Sequence, residues 1–93
     1  MAAYVVVELT IQNPEAREKY SAAAGPTIKS FGGEFVAAGP WAVLTGDPAF
    51  TAGAIISFPD RETALAWYTS PAYQALIPVR DAAFQSRFRI LGA

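Results

Sequence analysis

The opening of the chain alternates. Val5, Val7, Leu9 and Ile11 interleave with Tyr4, Val6, Glu8 and Thr10, a period of two that predicts a strand over Ala3–Ile11. Its β-branched content suits a pleated, buried position. Asn13-Pro14-Glu15 then marks a helix start. Asn13 can cap free backbone N–H groups, Pro14 suits the first helical position, and Glu15 complements the positive helix end. Ala16, Tyr20, Ala23 or Ala24, Ile28 and Phe31 follow at helical spacing. A kink or short break is expected at Gly25-Pro26, because proline removes a helical hydrogen bond. Gly32-Gly33 closes the helix and reverses the chain.

The middle reads as strand material from Glu34 to Ala38 and from Trp41 to Thr45, bent at Gly39-Pro40. Gly46-Asp47-Pro48 is a turn. Gly53 to Phe58 is a short apolar run of the kind found in central strands. Pro59-Asp60 stops it, and Asp60 can cap a second helix whose core face includes Ala64, Leu65 and Tyr68. Ser70-Pro71 opens a further helical turn holding Tyr73, Leu76 and Ile77, which Pro78 ends or redirects. A last strand alternates Phe84, Ser86, Phe88 and Ile90 with Gln85, Arg87, Arg89 and Leu91.

Strand, helix, strand, strand, helix, strand is the order of the ferredoxin-like α+β fold. The chain therefore reads as one domain, 1–93, with a four-stranded antiparallel sheet and both helices on one face. The other face carries Tyr4, Val6 and Glu8 from the first strand and Arg87 and Arg89 from the last. These strands are neighbours in this topology, so Glu8 can meet an arginine across them. Such a mixed face is too apolar for bare water and too charged for a dry core. It suits the wall of a semi-enclosed cavity.

Composition sharpens this picture. A chain of 93 residues buries roughly 64% of its unfolded surface, which leaves little surplus stability. Apolar residues make up 53% and charged ones 16%, against averages of about 45–50% and about 25%. The excess apolar surface points to a homodimer. The net charge of −1 gives no basic footprint for nucleic acid. With neither cysteine nor histidine, thiolate chemistry, disulfides and imidazole ligation are excluded, and no metal or cofactor is expected. No apolar stretch approaches the eighteen or so residues of a membrane helix. The start lacks a secretory signal pattern, so a cytoplasmic protein is expected.

Ala66-Trp67-Tyr68-Thr69-Ser70-Pro71-Ala72-Tyr73-Gln74, followed by Arg80, resembles the bacterial family known as domain of unknown function 1330. The Tyr-Val-Val-Val opening, Asn13-Pro14, Tyr20, Gly32-Gly33, Leu44-Thr45-Gly46 and Phe58-Pro59 fit it as well, so the resemblance spans the chain. It implies a ferredoxin-like dimeric α/β barrel and no established activity. Related barrels include cofactor-independent monooxygenases, isomerases and binding proteins, an analogy of fold alone. The family pattern has Arg-Gly-Gly where Ala38-Gly39-Pro40 stands, Glu at Thr45, Arg at Ala52 and Glu at Ser57. Any site built on those charges is not intact here.

Several residues are candidates for a site. Trp67, Tyr68 and Tyr73 can line a pocket for a planar ligand, or pack helix against sheet. Arg80 can bind a carboxylate or phosphate, or pair with Asp81, Glu62 or a carbonyl. Tyr4 and Arg87 are candidate ligand contacts on the open sheet face. Glu8 is the candidate catalytic base, because a strand of valines would desolvate it, or else half of a cross-strand ion pair. Capping explains Asp47, Asp60 and Asp81. Two readings follow: a binding protein for a small, partly apolar or aromatic ligand in a cavity on the sheet face, or a cofactor-independent isomerase or oxygenase using Glu8. A third is a dimerisation module with no ligand.

Overall fold

The computed structural model describes residues 2–93. Along it run β1 (Ala3–Ile11), α1 (Pro14–Ser30), β2 (Glu34–Pro40), β3 (Ala52–Phe58), α2 (Arg61–Thr69), α3 (Pro71–Gln74), α4 (Ile77–Ala83) and β4 (Phe84–Gly92). The strands form one antiparallel sheet in the order β2-β3-β1-β4. This is the expected ferredoxin-like α+β topology, with the helices on one face. Among the described residues no helix is long and apolar enough to cross a membrane.

The alternation of β1 sorts its side chains between the two faces. Ala3, Val5 and Val7 are buried under the helices, while Tyr4 is exposed on the other side. Opposite Val5 lie Ile56 and Ile90, and opposite Val7 lie Ala54 and Phe88. The core gathers Val5, Val7, Ile28, Ile56, Phe58, Ala64, Trp67 and Tyr73. Trp67 is fully buried, and its indole N–H donates to Thr27 Oγ1 at 3.1 Å. That bond satisfies the one polar atom the ring brings into the core.

Asn13 caps α1 as expected, its Oδ1 accepting from the N–H groups of Glu15 and Ala16. The break expected at Gly25-Pro26 does not occur. α1 runs unbroken through Pro26. Proline frees the carbonyl of Ala22 four residues back, and both residues are exposed, so that carbonyl is left to water rather than buried. Thr27 Oγ1 also donates back to Ala24 O at 2.7 Å.

Three other expectations change. Trp41 to Thr45 is irregular and not a strand; its tie to the sheet is Trp41 N–H to Thr51 O at 3.2 Å. On α2 the buried positions are Ala64 and Trp67, three apart, while Leu65 is half exposed. Helical phase explains this, since Leu65 lies one residue off the Ala64–Trp67 row. Pro78 neither ends nor redirects a helix but stands in the first turn of α4, where its missing N–H is harmless.

Gly33 joins α1 to β2 at a point of close approach. A Cβ there would lie 2.6 Å from the Phe58 ring and 2.8 Å from Ile28 Cγ2, both in the core. Gly33→Ala is therefore expected to lower stability by about 1–3 kcal/mol through overpacking. Urea unfolding followed by circular dichroism should show a lower midpoint at unchanged slope, and an unchanged midpoint would mean the core gives way freely.

Candidate functional site

The helices do not fill the sheet face they cover. Between α1 and the β2-β3 side of the sheet lies a cavity of about 500 Å³. Its walls are small where the elements face each other: Ala24 on α1, Ala38 and Gly39 on β2, Ala52 and Ala54 on β3. Ile28, Ile56 and Phe35 make one end apolar. Arg17, Tyr20 and Ser21, a turn or more toward the start of α1, bring polar groups to the other end, beside Leu9, Ile11 and Phe84. Residues spaced 17, 20, 21, 24 and 28 share one helix face, which is why a single element supplies this gradient. Arg17 and Tyr20 are the titratable residues among those lining the cavity.

Tyr20 connects the cavity to a polar cluster buried beneath α2, α3 and α4. The Tyr20 and Tyr73 hydroxyls are 2.7 Å apart. Arg80 Nη1 donates to Tyr68 Oη at 2.8 Å and to Tyr73 Oη at 3.3 Å. Its guanidinium lies 5.0 Å from the Phe88 ring centre, and Asp81 Oδ1 accepts from its Nε at 3.3 Å. The Arg80 side chain is only 12% exposed. The Tyr73 ring packs at 4.4 Å from Trp67 and 5.1 Å from Tyr68.

The direction of the Arg80 bonds follows from the donor inventory. Arginine only donates, so Tyr73 Oη accepts from Arg80. Tyr73 is fully buried, and Tyr20 is the neighbour able to take its proton. One of these two hydroxyls donates to the other, and either can be the donor. One of the two phenol protons is therefore left without an acceptor inside the cluster. Burial holds the Tyr20 phenol far above its ordinary range, with Tyr73 adding to the effect. Burial raises Tyr73 too, against the opposing hydrogen bonds of Tyr20 and Arg80. For Arg80, burial alone would lower the pKa. The bonds to Tyr68 and Tyr73 outweigh it and hold the group above its usual value.

Glu8 lies on the opposite, open face of the sheet. The register places it across from Arg87, which binds both carboxylate oxygens, Nε to Oε1 at 2.9 Å and Nη2 to Oε2 at 3.2 Å. Arg89 Nη2 also donates to Oε1. Hydrogen bonding by Arg87 holds the Glu8 carboxyl below its usual range despite partial desolvation. This arrangement makes a weak base. Beside it, the Arg87 guanidinium lies 5.2 Å from the Phe50 ring. The open face also has a small hollow of about 190 Å³ beside Trp41 and Ile55.

The structure thus divides the sequence candidates between two places. Tyr68, Tyr73 and Arg80 come together behind the cavity wall, and Trp67 packs against them as a core residue. Tyr4, Glu8 and Arg87 share the open face. None of the seven lines the larger cavity. Arg17 and Tyr20 do, and the signal for them was their shared face with Ala24 and Ile28.

A sequence profile described as "Domain of unknown function (DUF1330)" matches residues 2–93. The chain belongs to this family. A search of curated proteins finds no match. Among solved structures, a protein of unknown function from Rhodopseudomonas palustris is similar at 21% identity and TM-score 0.76, over 99% of this chain and 82% of that one. A dimeric ferredoxin-like protein of unknown function from Jannaschia sp. CCS1 aligns over 100% of both chains at 17% identity and TM-score 0.73. SnoaB, a cofactor-independent oxygenase from Streptomyces nogalater, aligns over 99% of this chain and 92% of its own at 16% identity and TM-score 0.69. Likeness at these identities shows the fold.

Ala38 and Ala52, where the resemblance led to the expectation of arginine, line the cavity, and Arg17 is the cation among its lining residues.

Removing the Tyr20 hydroxyl breaks the bond between the two phenols and leaves the buried Tyr73 with one partner fewer. Tyr20→Phe is expected to lower stability by about 1–3 kcal/mol in urea unfolding; no change would mean that this bond contributes nothing to the fold. The phenols also set an alkaline limit. Their folded pKa values are raised, so their contribution is fully present below the unfolded pKa. It declines once pH exceeds about 10, where the unfolded phenols ionise and the folded ones do not. Wild-type stability should fall across that range. The decline should be shallower in the double variant Tyr20→Phe, Tyr73→Phe, and equal slopes would rule out this cause.

Proposed function

We propose that the chain binds a small, partly apolar ligand in the cavity beneath α1, as one half of a homodimer whose sheets meet across their open faces. The cavity itself carries the reading. It is a cleft open along β2, where Phe35, Ala38, Gly39 and Pro40 are exposed, and its volume of about 500 Å³ falls within the roughly 300–1,000 Å³ of small-molecule sites. Dimerisation is supported by the exposed Tyr4 and Leu91 on the helix-free face and by the dimeric Jannaschia relative of the same fold.

A second reading is a cofactor-independent isomerase or oxygenase, the latter an activity described for SnoaB. The cavity would serve it equally well. Glu8 as its base stands on the other side of the sheet with both oxygens engaged, which favours binding. A dimerisation module without a ligand is the third reading, and the cavity argues against it.

Nile red, a neutral apolar dye, tests the first reading. The wild-type chain should bind it with a blue-shifted rise in fluorescence. Ala24→Phe, which fills the cavity from α1, should abolish the signal while circular dichroism stays unchanged. Glu8→Gln should leave dye affinity within a few-fold. Retention of the dye by folded Ala24→Phe would place binding elsewhere and remove the basis of the proposal.

A further inference from the structure

Resting on that reading, we infer that the ligand is a monocarboxylate with an apolar body, its carboxylate held by Arg17 and Tyr20 and its body lodged against Ile28, Ile56 and Phe35. The inference comes from the cavity's lining, where the one cation and a phenol stand together and the Tyr20 hydroxyl is bonded to Tyr73 alone.

Arg17 and Tyr20 are three residues apart on α1 and both line the cavity, so their Cβ atoms are neighbours about 5–6 Å apart. Arg17 makes no ion pair among the described residues. Its guanidinium offers a fork of N–H donors, the geometry that suits a carboxylate. Beside it, the Tyr20 hydroxyl can donate to an acceptor in the cavity. Arg80 donates to Tyr73, and the bond between the two phenols can run from either one, so a carboxylate can take the Tyr20 proton while Tyr20 accepts from Tyr73. An alcohol or ketone would use one donor and leave the cation unmatched, while an amine would meet a positive charge. One cation and one phenol match a single negative charge; a phosphate dianion would ask for more. The remaining wall is aliphatic and aromatic, which fixes the rest of the ligand as apolar.

The test compares three ligands that differ only at the head: decanoate, decanol and decylamine. Each displaces Nile red from the full chain at about pH 8, where the carboxylate and amine are ionised. Decanoate should compete about tenfold more tightly than decanol, a difference of about 1.4 kcal/mol, and decylamine most weakly. Arg17→Gln should erase the advantage of decanoate and leave decanol unchanged, and Arg17→Lys should restore part of it. Arg17 is exposed on the helix, so neither variant threatens the fold. Equal competition by decanoate and decanol, or an advantage that survives Arg17→Gln, overturns the carboxylate while the cavity reading stands. Failure of all three to displace the dye overturns the carboxylate as well. The cavity reading falls separately, if Ala24→Phe keeps the dye.

Discussion

A four-stranded sheet has two faces, and this chain has helices for one of them. That constraint organises everything else. Each strand must alternate apolar and polar positions so that one set meets the helices and the other does not. β1 does so with Ala3, Val5 and Val7 under the helices and Tyr4, Val6 and Glu8 outside. The uncovered face sets Glu8 between Arg87 and Arg89, with Glu34 at its edge across from Ser57.

On the covered face, aromatic bulk is spent unevenly. Trp67, Tyr68, Tyr73, Phe84 and Phe88 crowd along β4 and its neighbour β1, where α2, α3 and α4 dock. On the β2-β3 side Ala38, Gly39, Ala52 and Ala54 face α1, which meets the sheet at Ile28 against Ile56 and leaves the space beside them open. The cavity is the consequence. Its inner wall is Tyr20, whose hydroxyl ends a hydrogen-bond chain anchored by a buried guanidinium.

The strands were legible because their period of two is a property of the sequence alone, and the Glu8–Arg87 pair followed from the topology. Local breakers were read less well. Pro26 and Pro78 are tolerated inside helices for a reason that depends on exposure and position in the turn, not on the residue itself. Trp41 to Thr45 has strand-like composition but no neighbouring strand to pair with. The site was only half visible. Trp67, Tyr68, Tyr73 and Arg80 stood out by their chemistry, and the structure brings them together. The cavity did not, because a void is defined by what is missing. Its signature is the coincidence of Ala24, Ala38, Ala52 and Ala54 on facing elements, which only the fold brings together.

The central claim is that the two faces do different work, ligand on the helix side and partner on the other. Ile55 and Ile56 are adjacent in β3 and point to opposite faces, so they separate these roles directly. Intermolecular nuclear Overhauser effects between decanoate and the isoleucine methyl groups of labelled protein are the measurement. The account predicts contacts to Ile56 and Ile28 and none to Ile55. Contacts to Ile55 instead would place the ligand on the open face and contradict it.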